Sequence, residues 1–364
     1  MESLAKPCRN YWRGRRVLVL GNTGFKGSWL SLWLYRLGAR VCGLSLAPPT
    51  EPSLFALAGL HRLVPTVLGD IRNLEVVRET MQAKQPEIVF HLAAQPLVRL
   101  SYREPVETYA TNVMGTVHVL EAVRSAPSVR GLVVVTSDKC YENHEWPWAY
   151  RETEAMGGHD PYSSSKGCAE LVVSAYRRSF FAGACERNVG VATARAGNVI
   201  GGGDWAEDRL LPDCMKALSD GRRIEVRSPH AVRPWQHVLE PLRGYLRLAE
   251  CLDADAAQFA DAWNFGPVED DARPVSWLVS QVVEQWGQGA AWCVASADAR
   301  HETTWLKVDA SRARMKLGWA PQLRLDQALA WTVEWHRRLN AGEAALALAD
   351  EQLARYLAMA PASQ

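Results

Sequence analysis

From Arg16 to Ala196 short apolar runs alternate with stretches whose apolar residues recur at helical spacing. That alternation predicts a parallel sheet covered by helices on both faces. Val17 to Leu20 is continuously apolar, as a central parallel strand requires. A helix from about Gly27 to Leu37 follows, closing near Gly38, and a second strand covers Arg40 to Leu46. Further strands are expected at Val64 to Leu68, Ile88 to Leu92, Leu132 to Thr136 and Gly190 to Ala196. The order describes an α/β fold of the Rossmann type, a doubly wound parallel sheet. Beyond about Gly201 the alternation weakens into Gly-, Pro- and Arg-rich stretches, then returns as amphipathic helices at Trp277 to Trp286 and Leu325 to Leu339. These late segments predict a smaller C-terminal α/β lobe. Residues 1–200 are expected to form mainly the nucleotide-binding domain and 201–350 mainly the substrate lobe, with some segments returning to the first domain. Residues 351–364 read as a terminal helix that fades into a disordered tail over Ala360 to Gln364.

The turn after the first strand is Gly21-Asn22-Thr23-Gly24-Phe25-Lys26-Gly27, with glycines at intervals of three. Such a loop turns tightly, admits an anion close to its backbone and delivers it to the free N–H groups at a helix start. A dinucleotide pyrophosphate is the expected occupant. The second strand, Cys42-Gly43-Leu44-Ser45-Leu46, ends without the acid that often holds an NAD ribose, and without an arginine for a 2′-phosphate. NAD is the better expectation of the two cofactors. Asp70 and Ile71, after the third strand, are candidates for the adenine edge; a plain turn explains Asp70 equally well.

Tyr162 and Lys166 stand four residues apart, on one face of a helix. A tyrosine that removes a proton from a sugar hydroxyl must ionise near neutrality, and a nearby ammonium favours the phenolate. Alone the spacing describes many exposed helix faces. Here it follows Ser137, at the end of the fifth expected strand, in a chain that already carries the glycine loop.

The glycine loop, His91-Leu92-Ala93-Ala94, Asn112, Ser137 and the Tyr162/Lys166 pair together resemble the extended short-chain dehydrogenase/reductase family. The likeness covers essentially the whole chain. The stretches Thr136 to Asn143, Gly197 to Trp205 and Arg233 to Val238 resemble, more narrowly, its CDP-glucose 4,6-dehydratase branch. The resemblance implies tightly held NAD, contacted by the loop residues Gly21, Thr23, Gly24, Phe25, Lys26 and Gly27, by Leu92, Ala93, Ala94 and Asn112, and by Tyr162 and Lys166. It implies CDP-glucose as substrate and a homodimer or homotetramer. Tyr162, Ser137 and Lys166 would carry C4 oxidation, with Asp138 and Lys139 as acid and base for loss of water. In related dTDP-glucose dehydratases a glutamate stands where Lys139 stands, so the base is either Lys139, with a depressed pKa, or Glu142 or a bound water, with Lys139 orienting the sugar. Substrate contacts are expected from Gln95, Asn198, Asp204, Trp205, Arg209, Trp235 and His301, with Arg233 on the pyrophosphate. Arg195, Asn264 and Glu302 are further candidates.

Composition narrows the alternatives. The 364 residues are 48% hydrophobic with a formal net charge of +1, which suits a large core and offers no field for nucleic acid or an anionic membrane. The eight cysteines include no Cys-x-x-Cys pair and no cluster with zinc-ligand spacing, so a reduced, cytoplasmic, metal-free protein is expected. No window approaches the roughly 18 uninterrupted apolar residues of a membrane span. The fifteen tryptophans are expected mostly in the core or in pocket walls. A nucleotide-sugar 4-epimerase would share the loop and the Tyr/Lys pair but needs no acid and base for elimination. A non-catalytic dinucleotide sensor would be expected to have lost the tyrosine or lysine.

Overall fold

Seven strands, all parallel, form the central sheet of the computed structural model, which describes residues 7–181, 189–287, 289–295 and 305–359. In chain order they are β1 (Arg16–Leu20), β2 (Arg40–Ser45), β3 (Thr66–Leu68), β4 (Ile88–His91), β5 (Gly131–Val135), β6 (Gly190–Ala196) and β7 (Ala262–Phe265). Across the sheet the order is β7-β6-β5-β4-β1-β2-β3, the doubly wound arrangement expected from the alternation. Order reverses between β1 and β4, which pair from Val17 with Ile88 to Leu20 with His91. The crevice at such a reversal, outside the carboxyl ends of the strands, is where this architecture admits ligands.

Most boundaries fall within two residues of the expected ones, and the departures have local causes. The third strand starts at Thr66 because Val64 still closes a tight turn onto the Leu60 carbonyl and Pro65 has no amide proton. The first long helix opens at Phe25, since Gly24 is extended and acts as its N-cap. One element was missed in kind. β7 lies far along the chain and fills the sheet edge beside β6, with Ala262 opposite Thr193 and Phe265 opposite Ala196.

Two apolar layers cover the sheet. One gathers Leu18, Leu20, Val89 and Val134 under the helices Leu74–Lys84 and Gly115–Ser125. The other joins Val17, Val19, Phe90 and Val133 to the helices Phe25–Arg36, Leu239–Ala254 and Ala345–Ala358. Trp12, Trp29, Trp33, Trp263, Trp319 and Trp335 are buried in this second layer. The last helix is fastened from below. Tyr356 is buried, donates to Glu240 Oε2 at 2.8 Å, accepts from Arg243 Nε at 2.9 Å and sets its ring edge against Trp33. Arg36 adds a bidentate pair to Asp350.

A separate core lies over the C-terminal side, where Leu211, Met215, Leu278, Val282 and Leu329 pack between the helices Leu210–Ser219, Val275–Trp286 and Leu325–Asn340. Three two-stranded ribbons edge it: 199–200 with 236–237, 224–226 with 292–294, and 232–234 with 272–274. Trp235 is buried in this core. Among the described residues no helix is long and apolar enough to cross a membrane, and no cluster of His, Cys, Asp and Glu could hold a metal ion.

Candidate active site

The glycine loop leaves β1 at the reversal point of the sheet. Gly21 has φ +86°, and a Cβ there would stand 2.6 Å from the Ala93 amide nitrogen, so the Leu92-Ala93-Ala94 backbone can lie directly against the loop. Thr23 ties the loop to the end of β2 through Ser45 Oγ at 2.6 Å and the Leu46 carbonyl at 3.0 Å. No side chain caps the following helix at Gly24 and its first turn holds no acid. The N–H groups there are free to bind an anion, supported by the helix dipole. The loop fits a dinucleotide pyrophosphate. Asn22 Oδ1, buried beside Gly43 and without a partner, adds an acceptor facing the β1/β2 edge.

A cleft of about 970 Å³ opens beside the carboxyl ends of β5 and β6. Ser137, Asp138, Lys139 and Tyr162 line it together, as does Lys26. Tyr162 and Lys166 lie on the helix Pro161–Tyr176, whose start is fixed by Asp160 accepting from the Ser163 amide at 2.9 Å. Lys166 reaches the β5 end, 3.5 Å from the Val135 carbonyl, and burial pulls its amine down to about 8. The expected lowering of the Tyr162 phenol is reversed in the protein alone. Burial pushes it up to about 12, against the opposing effects of the Ser137 hydrogen bond and the Arg209 charge. Asp138 is buried, and loss of hydration raises its carboxyl above the usual range despite Lys139, Ser137, Arg233 and Lys26. Raising a carboxyl's pKa favours its protonated form, the form a general acid needs. Gly197 makes room for it, since a Cβ at that position would stand 2.9 Å from Asp138 Oδ2.

On the opposite wall Asn198, Asp204, Arg209, Arg233 and Trp235 line the same cleft. Arg209 pairs with Asp204 at 3.1 Å, and Arg233 donates to the Val232 carbonyl at 2.9 Å. Arg222, Arg223, Arg227 and Lys216 join this wall, a basic group that the reading of the sequence missed. Lys216 lies in the last turn of the helix Leu210–Ser219, and Arg222, Arg223 and Arg227 flank the strand 224–226; they are close in sequence, but only the fold turns them onto the cleft.

Several of the expected residues do not line this cleft. Trp205 does not line the cleft; its ring packs edge-on against Trp335 and His336. Gln95 does not line it either, because its amide is spent locally on Thr108 Oγ1, the Leu97 carbonyl and the Leu97 amide. Asn112 bridges the Gln95 backbone and Ser165 Oγ and so braces the helix that carries Tyr162. Asp70 is gripped by Arg72, which holds its carboxyl below the usual range, while Ile71 is buried against Gly115. Arg195 is buried, lies off the cleft lining and pairs with Glu170 at 2.8 Å. Thr136 and Thr193 also donate to Glu170, and Arg195 donates to the Tyr141 hydroxyl, which donates to Asn264. Glu142 is not on the cleft lining, whereas Lys139 is. His301 and Glu302 lie outside the described residues.

Glu170 could have been found from the sequence. It stands four residues beyond Lys166, on the same helix face as the Tyr/Lys pair.

A dinucleotide loop at the reversal point, with a buried Tyr/Lys pair on the adjoining helix, defines the extended short-chain dehydrogenase/reductase class. Residues 18–332 match the family model of GDP-mannose 4,6 dehydratase, and the chain belongs to that family. It is 51% identical, over 96% of its length and 98% of the relative's, to the CDP-glucose 4,6-dehydratase of Salmonella typhimurium. Identity to the dTDP-glucose 4,6-dehydratase of Streptomyces antibioticus is 26%, over 88% of this chain and 92% of the other. Among solved structures, the dTDP-glucose 4,6-dehydratase DesIV of Streptomyces venezuelae superposes with a TM-score of 0.74 at 23% identity, covering 91% of this chain and 99% of the other, which establishes the shared fold.

Proposed function

We propose that this protein dehydrates CDP-D-glucose to CDP-4-dehydro-6-deoxy-D-glucose for deoxysugar biosynthesis, with resident NAD as its cofactor. The observation that carries the reading is that Asp138 and Lys139 line one cleft with Ser137 and Tyr162. An epimerase needs the tyrosine and lysine but has no step that consumes an acid and a base at C5 and C6. The 51% identity to a CDP-glucose 4,6-dehydratase supports the choice of nucleotide.

The loop Gly21 to Gly27 and the Leu92-Ala93-Ala94 backbone would hold the pyrophosphate, and Lys166 the nicotinamide ribose. When bound, NAD accepts the C4 hydride, returns it to C6 and brings a positive ring charge that favours the Tyr162 phenolate. Tyr162 takes the O4 proton while Ser137 hydrogen-bonds the same oxygen. The resulting ketone acidifies C5–H, and that proton leaves either to Lys139 on the cleft wall or to a bound water beside a Lys139 that orients the sugar. Asp138 protonates the departing C6 oxygen, so the C6–O bond breaks and water leaves. Arg233 and the basic wall around Arg209 neutralise the substrate diphosphate, and Trp235 closes the pocket behind it.

Residues 1–200 serve mainly the cofactor and 201–350 mainly the nucleotide sugar. The protein works in the cytoplasm and calls on neither nucleic acid nor membrane. A homodimer or homotetramer is supported by exposed apolar side chains at Val106, Tyr109, Met114 and Leu171, on helices that pack together. Incubation with CDP-, dTDP-, UDP- and GDP-glucose tests the reading: 4-keto-6-deoxy product, seen by its absorbance in base, is expected from CDP-glucose. Inversion at C4 without loss of water would overturn it.

A further inference from the structure

Asp213 lies in the first turn of the helix Leu210–Ser219 and lines the active-site cleft. Its amide donates to the Arg209 carbonyl at 3.0 Å, one helical turn back, so the two side chains follow one another along one face. The Arg209 charge reaches the Tyr162 phenol, and the Arg233 charge reaches the Asp138 carboxyl. The charges that act most on Asp213 are instead those of Arg227, Asp208, Lys216 and Glu207, none of them a reacting group. A nucleotide sugar with its hexose at Tyr162 and its diphosphate at Arg209 and Arg233 therefore carries its base along the wall towards Asp213. There Leu210, Cys214, Ala217, Ile224 and Val226 line the cleft, and apolar side chains suit the faces of a flat ring. Among the described residues no hydrogen bond or ion pair engages the Asp213 carboxylate, whereas the neighbouring Asp208 holds Arg99 and Arg227. Loss of hydration raises the Asp213 carboxyl to about 6, with Arg227 and Lys216 opposing, so at neutral pH it is mostly an ionised acceptor. Such a group is short of a donor.

We propose that Asp213 selects the base of the substrate, its carboxylate accepting a hydrogen bond from the exocyclic amine of cytosine. That amine is the donor that marks cytosine among the pyrimidines, and a carboxylate is its natural acceptor. Uracil and thymine carry a carbonyl oxygen at the same ring position. Two acceptors would then face each other, and the carboxylate would stay without a donor in the closed complex. Asp213 touches the nucleotide and not the reacting atoms, so it governs KM and the choice of nucleotide and leaves the chemical steps unchanged. This role rests on the CDP-glucose reading above and narrows it to one contact.

The test uses the NAD-loaded enzyme and its Asp213→Asn and Asp213→Leu variants. CDP-glucose and UDP-glucose are compared as substrates, and the binding of CDP and UDP is followed by titration calorimetry. Asparagine keeps the shape and can turn either its carbonyl or its N–H groups to the base, whereas leucine offers neither. With CDP-glucose, kcat/KM should fall about tenfold in Asp213→Asn and about 10²-fold in Asp213→Leu, as a higher KM at similar kcat. CDP should bind more weakly by the same factors. UDP-glucose should lose nothing and should gain with asparagine, so the preference for cytosine collapses. That preference is a ratio of two substrates on one sample and does not depend on the fraction of enzyme that is folded. A parental ratio of CDP-glucose to UDP-glucose in both variants, beside a parent that prefers CDP-glucose, would overturn this assignment alone, as would a loss confined to kcat. A parent that forms 4-keto product faster from UDP-glucose, or from neither, would overturn the proposed function and this assignment with it.

Discussion

The Ser137 hydroxyl donates a hydrogen bond to Asp138 Oδ1 at 3.0 Å, joining the group placed for C4 oxidation to the group placed for elimination. Asp138→Asn keeps the shape and removes the acid. Turnover should fall by about 10²–10⁴-fold while nicotinamide reduction by substrate continues. Stopped-flow absorbance beside a product assay separates the two.

Gly197→Ala tests the space around the same carboxyl. The new methyl would lie 2.9 Å from Asp138 Oδ2 and 3.2 Å from Pro234 Cγ, so the carboxyl must shift. A loss in kcat of about tenfold with little change in KM is expected. Steady-state kinetics would show it.

Gly21→Ala should strip the cofactor. The residue has φ +86°, and its Cβ would enter the Ala93 backbone. Protein isolated without bound nicotinamide, and recovering activity poorly on addition of NAD, is the expected outcome. Dinucleotide content in the purified protein measures it.

Glu170→Ala leaves Arg195 buried with its ion-pair partner gone, at a cost of about 3–5 kcal/mol in urea unfolding. The same change removes the charge that raises Lys166, whose amine then falls below about 8. A wild-type urea midpoint in this variant would show that the buried pair contributes nothing net.

Acid stability depends in part on His237. Burial holds its pKa down to about 3, from 6.5 in an unfolded chain, and its Nε2 has no partner. Because the folded pKa is depressed, the unfolded state takes the proton first. The associated stability is complete above pH 6.5 and is lost as pH falls towards 3. His237→Phe should remove up to about 1.4 kcal/mol per pH unit of that loss. Denaturant midpoints at several pH values, parent against variant, give the difference directly.

The early strands and the Tyr/Lys pair were legible because their signals are local. Continuous apolar runs mark β1, β4 and β5, and four-residue spacing puts Tyr162 and Lys166 on one helix face. β7 was not legible, since its place beside β6 rests on pairing between Ala262 and Thr193 across a whole lobe. The partner of Arg195 was not legible for a related reason. A strand-end arginine faces either a ligand or a buried acid, and Glu170 decides which only once the helix packs on the strand. Trp205 sat in the right segment, but its neighbours Trp335 and His336 come from a distant helix that shows in the pattern only as amphipathic.

Tyr356 hangs from Glu240 and Arg243 under the first long helix, so the helix Ala345–Ala358 completes the layer begun by Trp33. On the ribosome the cofactor half therefore stays open until Tyr356, made long after Trp33, has been added. A nascent chain stalled before Tyr356 would present the buried face of Trp33 to chaperones. Quality control of this enzyme is thus tied to the arrival of the helix Ala345–Ala358.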